Sequence, residues 1–191
     1  DYYIKELAVI ATDQTSISFS QEELFSSNTL NYNYGSSNFD IKILSFLVNS
    51  KPIKRIEKCV ECMGKFKSYQ LVELKPNKEF EQNNSAVIFK IQGISDTVDG
   101  VYASMIFEND RNAIDLGTEQ LTIFVRPKRT IIPFSIELVD FKEVLHPGTD
   151  IAKSYSSEVI LSTGDLNRDV LIAMNEPLRY RDYTFFQAAF N

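Results

Sequence analysis

The two cysteines of Cys59-Val-Glu-Cys62 form the one motif whose residue types and spacing suit redox chemistry. Two thiols at this spacing form a local disulfide or exchange with a second dithiol. A reactive pair needs a helix N-terminus or a cation that lowers the thiol pKa. Glu61, inside the motif, has the opposite effect, although Lys58 and Lys65 flank it. A structural disulfide, two unused thiols and a functional dithiol remain open, and a disulfide would indicate an oxidising compartment.

Metal and acid–base chemistry have little support. The single histidine, His146, stands in Leu-His-Pro-Gly-Thr-Asp150. A zinc site would have to join it to Cys59, Cys62 and a distant carboxylate, so we expect no metal site. Asp140 and Asp150 lack an accompanying base or nucleophile, so no catalytic residue is predicted. The cluster of Arg126, Lys128 and Arg129 is interpreted as a solvated strand end, with contact to anionic groups as the alternative.

Composition sets the class of protein. The 191 residues are 43% hydrophobic, which excludes wholesale disorder. The net charge of −6 argues against a nucleic-acid partner, because phosphate binding needs clustered cations. No stretch approaches the roughly 20 apolar residues that span a bilayer. Since the chain starts at Asp1 without a signal segment, we expect a fragment of a longer protein or a mature chain.

Short strands dominate the predicted elements. Alternating or β-rich runs occupy 4–10, 16–19, 39–48, 69–74, 86–92, 100–107, 120–125, 130–141, 158–161, 170–174 and 183–190. A short helix is predicted over 21–26, capped by Ser20, and the polar segment 28–38 is predicted to be an exposed loop. The pattern predicts a mainly β fold, an antiparallel β-sandwich or barrel-like structure with one or two short helices.

The chain also repeats a motif, F-x-I-x-[IL]-x-x-F, at 39–46 and 134–141. It suggests an internal duplication into two related β units, 1–115 and 116–191, which form either one continuous domain or two. In each copy the last Phe falls on the wrong strand face, and a β-bulge at the same place would restore it. Chance similarity between two amphipathic strands is the alternative.

The closing segment concentrates aromatic residues at the end of the chain. Val170, Ile172 and Met174 share one strand face, and Pro177 interrupts regular pairing. Arg181-Asp182 is predicted to form a tight connection into a last strand. Apolar residues on both faces of that strand, which ends in Phe190, predict that it is buried on both sides.

Three ordered blocks carry a family resemblance. They are Pro-Phe-Ser-Ile-Glu-Leu-Val-Asp-Phe at 133–141, Pro-Gly-Thr-Asp-Ile-Ala-Lys-Ser-Tyr-Ser-Ser-Glu-Val-Ile at 147–160, and Met-Asn-Glu-Pro-Leu-Arg-Tyr followed by Tyr-Thr-Phe-Phe-Gln within 174–187. The last third of the chain resembles the ResB family of cytochrome c biogenesis proteins. Asp182 departs from the glycine usual in that family, which bears on the turn geometry.

The resemblance implies an extracytoplasmic domain, at the periplasmic face, of a membrane protein whose flanking helices are absent here. Its partners would be apocytochrome c and a second membrane subunit, separate or fused. The full complex resembles a cytochrome c haem lyase, whereas this domain is expected to position a partner without bond chemistry. Haem would be handled by the complex, and no cofactor is assigned to this domain.

Under the resemblance, Cys59 and Cys62 become candidates for thiol exchange with an apocytochrome. Met63 follows the motif where a haem-attachment site has His. His146 is a candidate haem contact, with a plain turn residue as the alternative.

Asn175, Arg179 and Tyr180 are candidates for binding a partner, or they build the turn. The competing functions are a thiol–disulfide oxidoreductase and a β-sandwich binding module unrelated to haem.

Overall fold

The structure, a computed structural model, describes residues 4–26, 29–34, 37–106, 111–117 and 119–187. The fold is mainly β and built from antiparallel sheets, as predicted, and the described residues form no closed barrel. The chain divides into an N-terminal unit, Asp1–Arg129, and a C-terminal unit, Thr130–Asn191.

The described elements succeed one another in chain order. They are β1 (Lys5–Ile10), β2 (Ser16–Phe19), α1 (Gln21–Phe25), β3 (Thr29–Tyr34), β4 (Ser37–Leu47), β5 (Ser50–Lys54), β6 (Tyr69–Glu73), β7 (Ala86–Gln92), β8 (Gly100–Met105), β9 (Asn112–Asp115), β10 (Gln120–Pro127), β11 (Ser135–Leu145), β12 (Ala152–Thr163), β13 (Leu166–Ala173), β14 (Leu178–Tyr180) and β15 (Tyr183–Phe185), with 3₁₀ turns at Gly64–Lys67 and Phe80–Gln82.

Two four-stranded sheets with a shared core make up most of the N-terminal unit. Their strand orders are β2-β1-β10-β9 and β3-β4-β7-β8. Alternation places one face of each strand in the core: Leu7 and Val9 from β1 meet Ile41 from β4 and Phe89 from β7, and all four are fully buried. Each such side chain contributes roughly 1.5–3 kcal/mol on burial.

The helix forms where the sequence predicts it. Ser20 accepts from the backbone of Glu23, whose carboxylate accepts from the Ser20 amide, so both halves of a capping box are present. Leu24 is the helical residue that reaches the core.

The predicted loop at 28–38 is wrong over its described residues. Thr29–Tyr34 forms β3, which pairs along β4 with Tyr32 opposite Phe39. The Asn-rich composition hid the alternation of apolar side chains, and Tyr32 is buried with its ring 5.0 Å from that of Phe39.

The predicted bulges are present at equivalent positions of the two motifs. In β4 the register shifts between Ile43 and Ser45, and Phe46 returns to the core face. In β11 it shifts between Leu138 and Asp140. Both extra residues are the sixth of the motif, so the bulge prediction is confirmed.

A three-stranded meander and a terminal hairpin form the C-terminal unit. The sheet order is β11-β12-β13, and β14 pairs with β15. Val159, Ile172 and Leu178 form its buried centre, with Tyr180 and Phe185 packed against them. The hairpin thus covers one face of the sheet. The last predicted strand ends at Phe185, and the part of that prediction at 188–190, including Phe190, lies outside the described residues.

The two compact units divide after Arg129, later than the expected boundary after residue 115, because β10 pairs with β1 and β9. The two bulged strands also differ in their next partner, since β4 pairs with β7 after an insertion whereas β11 pairs directly with β12. The duplication itself stays a prediction.

Candidate functional site

Cys59 and Cys62 form a disulfide in the loop between β5 and β6. Cys62 is 2% exposed, and Cys59 is half-buried. The loop is fastened to the start of β8, because the Val101 amide donates to the Glu61 carbonyl (2.7 Å) and the Met63 amide donates to the Val101 carbonyl (2.8 Å). Phe66 and Ala103 complete the small core beneath the disulfide. The two hydrogen bonds to Val101 therefore tie the long β5–β6 connection to the sheet, and the disulfide closes a short loop within that connection.

Gly100 allows this close approach. A Cβ at this position would lie 2.7 Å from the carbonyl oxygen of Glu61 and 2.4 Å from Cγ of Met63. The backbone oxygen cannot yield as a flexible side chain can, so a larger residue would push the loop away from β8.

An open groove of about 480 Å³ lies over the disulfide. Both cysteines line it, together with Val60, which is 85% exposed, and Arg55. The Arg55 guanidinium lies 4.9 Å from the centre of the Phe66 ring, and its Nε donates to the Tyr69 carbonyl at 3.1 Å. The groove thus presents a disulfide, a fixed cation and apolar walls to solvent.

Asp99 holds the adjoining β7–β8 connection. Its carboxylate accepts from the amides of Gly93 (2.8 Å), Ile94 (2.9 Å) and Ser95 (3.2 Å). Burial alone would raise the pKa of Asp99, but the three amides together with nearby Lys90 hold that pKa below its ordinary value. Asp99 also faces Tyr102, whose pKa is raised, mainly by burial.

The basic cluster predicted around residue 126 is divided by an ion pair. Arg126 Nε donates to Glu6 Oε1 at 2.7 Å, opposite it in the β1–β10 ladder, and both side chains are largely buried. The Arg126 guanidinium is therefore engaged in an ion pair between two strands of the sheet. Of this cluster, Lys128 and Arg129 remain exposed and could bind an anion.

His146 lies in the connection between β11 and β12. It is exposed, its amide donates to the Ile151 carbonyl, and its carbonyl accepts from the Thr149 amide. It thus belongs to the C-terminal unit and the cysteines to the N-terminal one. In the part of the chain that the structure describes, no three His, Cys, Asp or Glu side chains converge as a metal site requires.

The partner-binding candidates occupy three different environments. Asn175 has φ 66° in a tight turn closed by reciprocal hydrogen bonds between Ala173 and Glu176. Tyr180 is half-buried, and its ring centre lies 5.0 Å from that of Phe134. Arg179 is exposed on β14. The backbone conformation of the turn thus accounts for Asn175, and packing in the core accounts for Tyr180. The side chain of Arg179 is directed to solvent.

The turn between β14 and β15 differs in detail from expectation. Tyr180 pairs with Tyr183, so Arg181 and Asp182 form a two-residue hairpin turn. The left-handed residue is Arg181, with φ 51°, and not Asp182. Position 182 therefore does not require glycine in this turn.

Tyr180, Tyr183 and Phe185 of the closing segment pack against Phe134 in the core of the C-terminal unit. Thr184 and Phe186 are exposed, so the prediction that the last strand is buried on both sides is wrong over its described residues. Phe134 is 8% exposed and also contacts Tyr183 and Phe185 edge-on, at 5.7 and 5.9 Å between ring centres. The hydroxyl of Tyr180 is hydrogen-bonded to Thr163, which with Arg181 lowers the pKa of that phenol.

The sequence profile of the ResB-like family matches residues 85–191, more than half of the chain. The chain belongs to the ResB-like family. The match covers β7 to β15 and leaves out the disulfide loop. A comparison with curated proteins gave no significant match. Membership in the ResB-like family suggests involvement in cytochrome c biogenesis, a membrane-associated process.

None of the helices in the described ranges is both long and apolar enough to cross a membrane. The family blocks coincide with buried aromatic residues and turns and not with a set of reactive groups. The Asp99-Gly100 pair marks a turn in the sequence. Local pattern alone does not show that Asp99 accepts from three amides or that Gly100 lets the disulfide loop pack against β8.

Proposed function

We propose that this chain is an extracytoplasmic domain, on the periplasmic face of the membrane, of a membrane-bound cytochrome c maturation protein. It positions apocytochrome c, or the second membrane subunit, while the full complex delivers and attaches haem. The family match over residues 85–191 carries the proposal. The architecture agrees with a positioning role, because the family-matched blocks form a sheet and a hairpin that pack together through Phe134, Val159 and Leu178.

The proposed division of labour assigns binding to this domain and chemistry to the rest of the complex. His146, exposed in a turn, is retained as the candidate haem contact. Arg179, Asn175 and Tyr180 are retained as partner contacts. Arg179 suits that role best, because its side chain is exposed and neither the turn nor the core accounts for it.

Binding of reduced apocytochrome c to the 191-residue chain tests this function. The comparison proteins are the folded holocytochrome and an unrelated acidic protein of similar net charge. The proposal predicts that the apo form binds the chain more tightly than it binds the acidic protein, and more tightly than the holo form binds the chain. If apocytochrome c bound the 191-residue chain and the unrelated acidic protein equally well, the result would contradict the proposal.

A second candidate is thiol–disulfide exchange at Cys59 and Cys62. The groove favours it, because the half-buried Cys59 and the 2%-exposed Cys62 both line an open surface beside Arg55. The reduced Cys59 thiolate would attack a disulfide of an oxidised apocytochrome, and Cys62 would then resolve the mixed disulfide. Two electrons pass to the substrate, whose thiols leave protonated, and a dithiol donor protein must re-reduce the domain.

Substitution of both cysteines by serine separates the two functions. A positioning domain keeps its apocytochrome binding as the double variant, provided that it remains folded. An exchange protein loses reduction of an oxidised Cys-x-x-Cys-His peptide, measured by thiol release with a dithiol donor present. Unchanged thiol release in the double variant eliminates the second candidate.

A further inference from the structure

The C-terminal sheet has one covered face and one open face. Val159 and Ile172 pack with Leu178 of the terminal hairpin, and Leu161, on the same face of β12 as Val159, is also buried. Their neighbours along the strands point the other way because side chains alternate across a sheet. The open face is defined here as Glu137, Val139, Asp140, Lys142, Glu158, Ile160, Asp169 and Leu171.

Strand register arranges the open face in rows. Glu137, Ile160 and Asp169 lie side by side across the three strands, and the next row holds Asp140, Glu158 and Leu171. Neighbouring strands are roughly 4.8 Å apart, so the backbones of Glu137 and Asp169, on either side of Ile160, are about 10 Å apart.

An open groove of about 350 Å³ lies beside these rows and is lined by Val139, Leu171 and the carboxylate residues Glu158 and Asp169. Val139, the residue extruded by the β11 bulge, is 59% exposed beside it, and Leu171 is 55% exposed. A bulge re-aims a side chain, and here it brings Val139 to the groove. Exposed aliphatic side chains rimmed by charge are typical of a surface that meets another polypeptide.

The charges of the face are unbalanced. Lys142 contacts Glu158 at 2.5 Å and Asp140 at 3.3 Å, which raises the lysine pKa. Within the described ranges no ion pair involves Glu137 or Asp169. The C-terminal unit as a whole has nine acidic and five basic residues.

We infer that the open face binds an extended, lysine-rich segment of the polypeptide substrate, with an aliphatic side chain in the groove and lysines beside Glu137 and Asp169. This inference rests on the proposed function, which supplies the partner. Charge complementarity selects this occupant, because like charges oppose a second copy of the face and repel anionic lipid or nucleic acid.

The inference is tested with the whole 191-residue chain and a synthetic apocytochrome c fragment that is rich in lysine. Its cysteines are replaced by serine, so that thiol exchange plays no part, and a second sample has its lysines acetylated. The site variant is Glu137→Gln with Asp169→Asn. The matched control is Glu57→Gln with Asp96→Asn, which removes the same charge from exposed positions of the N-terminal unit.

Fluorescence anisotropy at low salt should show binding that weakens roughly three- to ten-fold in the site variant, because each exposed ion pair contributes modestly. The control should stay within about twofold. Leu171→Asn should weaken binding without changing its salt dependence, since it removes an apolar contact. Amide NMR spectra check that each variant is folded.

The outcomes separate this inference from the proposed function. Lysine-dependent binding that is the same in the site variant and its control overturns the open-face site and leaves the proposed function standing. A fragment that binds no better than its acetylated form overturns the lysine contacts. A fragment that does not bind the chain at all contradicts both. A dimer in sedimentation that the site variant abolishes would assign the face to a second copy.

Discussion

Replacing Phe134 by alanine should strongly destabilise the C-terminal unit while sparing the N-terminal one. Phe134 is 8% exposed, and three aromatic rings surround it edge-on, at 5.0 Å (Tyr180), 5.7 Å (Tyr183) and 5.9 Å (Phe185). Truncation of a buried Phe costs about 3–5 kcal/mol. A unit of about 60 residues has roughly 3–9 kcal/mol of stability, so the substitution removes a large share of it.

Hydrogen exchange measured by mass spectrometry resolves the two units. The amides of β12 and β13 should lose protection in Phe134→Ala, and those of β7 should keep it, because the N-terminal core contains only residues before Arg129. Phe186→Ala is the matched control: this ring is 70% exposed, and its removal should change stability by less than about 0.5 kcal/mol.

Equal effects of the two substitutions would contradict this prediction, since the family-matched aromatic residues would then not form the core. Loss of protection in β7 together with β12 would also contradict it, because the two units would not be separate cooperative structures.

Three further predictions concern turns and the disulfide loop. Asp99→Asn should lower the free energy of unfolding by about 1–2 kcal/mol at pH 7, because three amides lose their anionic acceptor. Since the folded pKa of Asp99 is depressed, its stabilisation is present above the ordinary carboxyl value of about 4 and is lost as pH falls through the folded value; urea titrations should show a flatter acid limb in the variant. Gly100→Ala should cost about 1–3 kcal/mol and speed reduction of the disulfide by dithiothreitol, because a Cβ would strike Glu61 and Met63; unchanged reduction kinetics would count against the docked loop. At Asn175, with φ 66°, glycine should be neutral or stabilising and valine should cost about 1–3 kcal/mol in thermal melts; equal melting temperatures would contradict the turn assignment.

Much of the strand content can be predicted from local pattern. The strands at 16–19 and 86–92 were predicted with the bounds that the structure gives. Apolar alternation there is strong and turn residues flank it. The same rule missed β3, where Asn residues occupy the outward positions, and underestimated β12, whose first half is rich in serine.

Pairing between distant strands could not be predicted from local pattern. β1 pairs with β10, so Lys5 stands opposite Pro127, and only the tertiary fold determines that choice. This pairing also places Arg126 beside Glu6, which removes a cation from the basic cluster expected on the surface.

The candidate site was predictable only in part. The local spacing of Cys59 and Cys62 allowed a disulfide, whereas the groove above it depends on Arg55 and Phe66, which the fold brings there. The open face could not be predicted from the sequence, because its rows combine residues from three strands. Which face of the sheet is covered also depends on the terminal hairpin.

Site-specific photo-crosslinking in membranes that are maturing a cytochrome can show whether the domain contacts apocytochrome c. A photoreactive amino acid replaces Leu171 on the open face or, as the control, Ile56, which is 96% exposed in the N-terminal unit. Positioning of apocytochrome c on the open face predicts a cross-link from position 171 to newly made apocytochrome c, and a weaker one or none from position 56. Equal cross-linking from the two positions, or none from 171 while maturation proceeds, would contradict positioning of the substrate on this face.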